Sequence, residues 1–89
     1  MIERELAVSN RLGLHARASA KLVQVLSGFR CSATLAAKGR EVNAKSIMGV
    51  MLLAAGPGTT VLLRVDGEEE AAAMTAVADL FARNFDEED

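Results

Sequence analysis

The stretch Cys31-Ser32-Ala33-Thr34-Leu35-Ala36-Ala37-Lys38-Gly39-Arg40-Glu41-Val42-Asn43 decides how the rest of the chain folds. From Cys31 to Ala37, small or apolar residues alternate with Ser32 and Thr34, as in a half-buried strand. Lys38-Gly39 supplies a tight turn, and Arg40 to Asn43 forms a short return strand, so the segment reads as a hairpin. Upstream, Ile2 to Val8 reads as a strand with Leu6 and Val8 on one face and Glu3 and Glu5 on the other. Asn10 to Gly13 is a turn-rich connection. A helix follows from about Ala16 to Ser27, with a core stripe of Ser19, Leu22, Val23 and Leu26. Arg17, Lys21 and Gln24 share another face, and Gly28 is placed to stop the helix.

Downstream, Ser46 heads the apolar run Ile47 to Ala55, which Gly56-Pro57-Gly58 terminates. Such a run is ambiguous between helix and buried strand, and the serine head and Gly-Pro stop favour a short helix. Thr60 to Asp66 alternates as a strand, with Val61, Leu63 and Val65 on one face. Glu68 to about Asn84 is the clearest helix. Glutamates fill its first turn, where the macrodipole favours them, and Met74, Val77, Ala78 and Phe81 form its buried stripe. The tail Asp86-Glu87-Glu88-Asp89 is expected to be frayed and solvated. The order is β-α-β-β-α-β-α, an α+β fold. One-sided helices over alternating strands predict a two-layer open-faced sandwich, with three helices on one face of a four-stranded antiparallel sheet.

Eighty-nine residues are expected to form a single domain, residues 1–89, with one core and no deep enclosed active site. The chain is 51% hydrophobic and only 3% aromatic, so that core is aliphatic. A net charge of -2 argues against a nucleic-acid partner, which needs a basic face. The lone Cys31 cannot form an internal disulfide; it suits a reducing compartment and reads as a small core residue. Met1-Ile2-Glu3-Arg4-Glu5 is not a signal peptide, and no apolar run approaches the roughly 20 residues of a membrane span. A soluble cytoplasmic monomer, without a membrane partner, is expected.

Most familiar chemistries lack their residues. One histidine and one cysteine on different elements do not build a closed metal site, and no P-loop, dinucleotide fingerprint or nucleophile elbow is present. No cofactor is expected. Carboxylates sit in the first strand, at the last helix start and in the tail, the pattern of a solvated surface. Two constellations remain. In Leu12-Gly13-Leu14-His15-Ala16-Arg17-Ala18-Ser19, the only histidine stands where a helix begins. The unpaired N–H groups of that helix start, Ala16 among them, form an anion site. Imidazole is nucleophilic near neutral pH, and Arg17 adds fixed charge, so the group suits a phosphoryl carried on nitrogen. The competing reading is a capping histidine beside a surface arginine. The second constellation is Lys45-Ser46-Ile47-Met48-Gly49-Val50-Met51. Ser46 reads as an N-cap there, and Ile47, Met48 and Met51 share a side that can stay exposed for docking.

Gly13-Leu14-His15-Ala16-Arg17 and Lys45-Ser46-Ile47-Met48-Gly49-Val50-Met51, at this separation and in this element order, resemble HPr. This is the histidine-containing phosphocarrier family of the bacterial phosphoenolpyruvate-dependent phosphotransferase system, and the resemblance covers essentially the whole chain. It implies a sheet of strand order 1-4-2-3. It implies that His15 takes a phosphoryl group on Nδ1 from enzyme I and gives it to IIA domains, with Arg17 contacting that group. The result is a phosphoryl carrier rather than a stand-alone catalyst. It implies that Ser46 is a regulatory site for an HPr kinase/phosphorylase. Partner docking maps onto Arg17, Ala20, Lys21, Gln24, Ile47, Met48 and Met51. Ala18-Ser19 departs from the family's proline and alanine. The ending Leu80-Phe81 … Phe85-Asp86-Glu87-Glu88-Asp89 resembles the nitrogen-related HPr paralogues, whose relay serves regulation rather than sugar uptake. Two alternatives differ in class. One is a regulatory binding module that no longer relays. The other is a small RNA-binding domain, disfavoured by the absence of Tyr and Trp and by the negative charge.

Overall fold

The computed structural model describes residues 1–87. Its elements run β1 (Ile2–Ala7), α1 (Ala16–Ser27), β2 (Ser32–Ala37), β3 (Arg40–Asn43), α2 (Ile47–Leu52), β4 (Thr60–Asp66) and α3 (Glu70–Ala82), followed by a 3₁₀ turn at Asn84–Asp86. The sheet is antiparallel with strand order β1-β4-β2-β3. The open-faced sandwich and the implied order are therefore what the chain forms.

The alternation in the strands sets the register. Leu6 pairs with Val61 across β1 and β4, and Leu35 and Ala33 pair with Leu63 and Val65 across β2 and β4. That row is buried. It meets Ala18, Leu22 and Leu26 of α1, Val50 of α2, and Ala73, Met74, Val77, Leu80 and Phe81 of α3. The opposite face carries Glu3 and Arg64, joined at 2.5 Å. The hairpin turn has positive φ at both Lys38 (54°) and Gly39 (75°), the two-residue geometry that matches strand twist.

Several boundaries differ from the sequence expectations. Strand β1 stops at Ala7 and β2 starts at Ser32, so Cys31 lies half-buried in the connection rather than within a strand. In the stripes, Val23 and Ala78 are only half-buried, while Ala18, Ala73 and Leu80 are buried. Helix α3 begins at Glu70 instead of Glu68, because Glu69 sits outside helical geometry and its carboxylate accepts from the Arg30 N–H at 2.8 Å. Helix α2 ends at Leu52, well before Gly56-Pro57-Gly58. Ala54 turns left-handed at φ 50°, and the hairpin supplies cations to the freed carbonyls: Arg40 to Leu52 at 3.0 Å and Lys38 to Ala54 at 3.2 Å. Gly28 does occupy the C-cap of α1, though with φ -82° and not in a left-handed conformation.

No helix among the described residues is long and apolar enough to cross a membrane.

The turn before α1 depends on Gly13, at φ 65°. A β-carbon there would lie 2.4 Å from the Ala55 carbonyl oxygen and 2.7 Å from the Gly56 Cα, both backbone atoms that cannot swing away. Gly39 also has positive φ, but its surroundings are empty. Urea unfolding is expected to show Gly39→Ala losing about 1 kcal/mol, the left-handed penalty alone. Gly13→Ala is expected to lose more than about 2 kcal/mol, because the close approach adds to that penalty.

Candidate functional site

His15 takes the N-cap position of α1 with extended backbone (φ -76°, ψ -177°), and its side chain caps nothing. Its backbone is fixed on both sides. The Leu14 N–H donates to the Ala55 carbonyl at 2.9 Å, and the His15 N–H donates to Gly13 at 2.9 Å. The buried Ser19 hydroxyl, one turn into the helix, donates back to the Leu14 carbonyl at 3.1 Å. This bond explains a polar residue on the core stripe. Ala18 is fully buried beside it. Ala16, Arg17 and Ala18 begin the helix, where N–H groups have no intrahelical acceptor.

The imidazole, 28% exposed, is half-buried. Its Nε2 lies 2.6 Å from Oε2 of Glu87, and among the described residues its Nδ1 takes no hydrogen-bond partner. The capping reading of His15 therefore fails. The other oxygen of Glu87 accepts from Asn10 Nδ2 at 2.9 Å, and the same amide nitrogen donates to the Gly13 carbonyl at 2.8 Å. Asn10 is fully buried, and its Oδ1 has no partner among the described residues.

This contact overturns the expectation of a solvated tail as far as residue 87; Glu88 and Asp89 lie outside the described residues. Phe85 is buried against Phe81, with ring centroids 4.8 Å apart, and draws the chain back over the start of α1. Asn84 accepts from the Ser9 hydroxyl at 2.6 Å, and Lys21 donates to the Phe85 carbonyl at 2.5 Å. Arg83 holds Asp86 at 2.8 Å and Asp79 at 2.9 Å. The signal available in the sequence was Phe85 itself, four residues after Phe81 and so on the same helical face, an apolar residue within an otherwise acidic ending.

An open cleft of about 680 Å³ results, lined by Leu12, His15, Ala16, Arg17, Lys21, Asp86 and Glu87. Arg17 is exposed and enters no ion pair among the described residues, so its guanidinium is available to an anion. Lys21 departs from expectation: it is half-buried, with its ammonium engaged by the tail carbonyl. Burial acts against a charge on Glu87. The hydrogen bonds from Asn10 and His15, with the charges of His15 and Lys21, outweigh it and hold this carboxyl below its usual range.

The remaining candidates lie on α1 and α2, which pack against each other. Ala20 is half-buried and Gln24 exposed. Ile47, Met48 and Met51 are exposed, and so are Leu52 and Leu12, which periodicity did not single out. Ser46 caps α2 as expected, its hydroxyl accepting from the Gly49 N–H at 3.1 Å.

The family described as "PTS HPr component phosphorylation site" matches residues 2–83. A phosphocarrier protein HPr of Xylella fastidiosa is 61% identical over 99% of both chains. Among solved structures, HPr from Thermoanaerobacter tengcongensis superposes with a TM-score of 0.94 at 40% identity, covering 99% of each chain. A structure described as an HPr dimer from the same organism reaches 0.78 at 39% identity, covering 98% of this chain and 100% of that one.

Because folding lowers the Glu87 proton affinity, its contribution to stability is full above the unfolded glutamate value and is lost as pH falls through the folded one. Urea unfolding is expected to show the parent protein more stable than Glu87→Gln near neutral pH. The gap should close on acidification below the ordinary glutamate range, ~4.3. Equal stabilities at neutral pH would mean the contact contributes nothing to folding.

Proposed function

The chain belongs to the HPr family of phosphocarrier proteins of the phosphotransferase system, and on that premise we propose that His15 accepts a phosphoryl group from enzyme I and passes it to IIA domains. The observation that carries this reading is an otherwise fixed imidazole whose Nδ1 takes no hydrogen-bond partner among the described residues, in an open cleft beside Arg17 at the start of α1. Neutral imidazole attacks the donor's phosphohistidine in line, and the acceptor histidine later attacks in turn. Positioning and charge stabilisation do most of the work, as in phosphoryl transfer generally. Arg17 and the Ala16 N–H stabilise the carried group, which bears close to two negative charges.

A carrier must release its partners quickly, which suits a transient interface below roughly 1,200 Å² in total. Exposed Ile47, Met48 and Met51 supply an apolar centre, while Arg17, Ala20, Lys21 and Gln24 supply the α1 side of it. Lys21 keeps its charge while it donates to the tail carbonyl, so both cations contribute to steering.

Ser46 is proposed as a regulatory phosphorylation site for an HPr kinase/phosphorylase. Its place at the N-cap of α2 makes a phosphate there locally favourable, so the fold survives modification while negative charge beside Ile47 and Met48 weakens docking. Sugar uptake and nitrogen-linked signalling both fit this relay. The acidic ending with its paired phenylalanines resembles the nitrogen-related branch, whereas the Ser46 segment resembles the kinase-regulated type.

With enzyme I and labelled phosphoenolpyruvate, the parent protein is expected to take label, while His15→Ala folds normally and takes none. Label on that variant would overturn the assignment. Ser46→Asp is expected to keep the fold and accept phosphoryl groups more slowly than the parent. Acceptance at the parental rate would remove the charge-based regulatory role.

A further inference from the structure

We propose that Glu87 is a positioning residue for phosphoryl transfer, holding the His15 ring with its proton on Nε2 so that Nδ1 presents a lone pair to the cleft. This rests on reading His15 as the phosphoryl acceptor and adds a residue that the family resemblance did not supply. A carboxylate only accepts hydrogen bonds, so the ring nitrogen 2.6 Å from Glu87 must donate. In a neutral imidazole the remaining nitrogen then carries the lone pair. With the carboxylate ionised and the ring neutral, the contact leaves the lone pair on Nδ1.

The carboxylate is itself held in place. Its second oxygen is bound by the buried Asn10, whose amide also grips the Gly13 carbonyl just before His15. The Glu87 side chain is only 9% exposed. It hangs from a strap in which Asn84, Phe85 and Asp86 all have positive φ, at 53°, 57° and 59°. Left-handed backbone at non-glycine residues is costly, because the β-carbon crowds the following carbonyl oxygen. Three in succession persist because the strap is tied down by buried Phe85, by Ser9 on Asn84 and by Lys21 on the Phe85 carbonyl. Such anchoring places a charge at a defined point on the ring.

In the transfer step the Nδ1 lone pair forms the new N–P bond as the donor's N–P bond breaks, and that electron pair returns to the donor nitrogen. No proton moves: the ring keeps its Nε2 proton and becomes positively charged, and Glu87 faces that charge. A buried carboxylate orients and stabilises the histidine of a hydrolytic triad in the same way. The cleft remains able to receive an anion, because Asp86 is taken up by Arg83, and Arg17 and Lys21 line the same cleft as the carboxylates.

The test compares the parent protein, Glu87→Gln and Glu87→Ala with two donors. One is phosphorylated enzyme I, and the other is phosphoramidate, a small N-phosphoryl donor that needs no docking surface. With both donors the rate at His15 is expected to fall at least about ten-fold in Glu87→Ala. Glu87→Gln keeps an acceptor but no charge, and should fall between the alanine variant and the parent. The KM for phosphorylated enzyme I is expected to stay near parental while kcat falls. The downfield Nε2–H resonance of the parent ring should weaken in the alanine variant. Parental or faster rates in both variants overturn the proposal; faster rates would make the strap a cover over the site. A parent that takes no label at His15 from either donor overturns the phosphocarrier reading along with it.

Discussion

At Gly13 two stretches of backbone approach so closely that a β-carbon would come within 2.4 Å of the Ala55 oxygen. The same oxygen accepts the Leu14 N–H, so the loop that carries His15 is joined to the loop that leaves α2. The histidine and the exposed apolar residues of α2 are thereby held in a fixed relation, although 31 residues separate His15 from Ile47 in the chain. Without that contact the turn carrying the imidazole would lose its tie to the loop after α2. The conformation needs glycine for two reasons at once, the positive φ and the missing side chain.

Charge is distributed around this fixed point with little to spare. Arg83 takes up Asp86, Lys21 spends its ammonium on a tail carbonyl, and Glu87 is shared between Asn10 and His15. Arg17 is the cation that the cleft leaves uncommitted among the described residues. Which cation the cleft leaves open thus follows from how its other charged groups are already engaged, and adding up formal charges would miss it.

Local patterns carried most of the fold into view. The hairpin showed itself through Lys38-Gly39, the strands through alternation such as Val61, Leu63 and Val65, and α2 through Ser46 at its head. These are period and turn signals, and they need no knowledge of distant residues. The errors fell where a long-range partner decides. Helix α2 stops early because the side chains of Lys38 and Arg40 reach its carbonyls from the hairpin. An acidic ending usually marks a solvated end, but here the burial of Phe85 against Phe81 overrides it and takes Glu87 out of the surface carboxylates. His15 and Arg17 were legible as a pair, but the ring's orientation was not, since the group that sets it lies 72 residues away.

The contacts from Ser9, Asn10 and His15 to the strap close spans of 75, 77 and 72 residues. Strand β1 likewise pairs with β4 rather than with a neighbour in sequence. Contacts of such separation form late, because the loops they close must be ordered before they repay the cost. On a ribosome adding roughly 5–20 residues per second, Glu87 emerges about 4 to 14 s after His15. Throughout that interval the contact that orients the imidazole cannot form. The ring acquires a direction only when Glu87 folds back over the first helix.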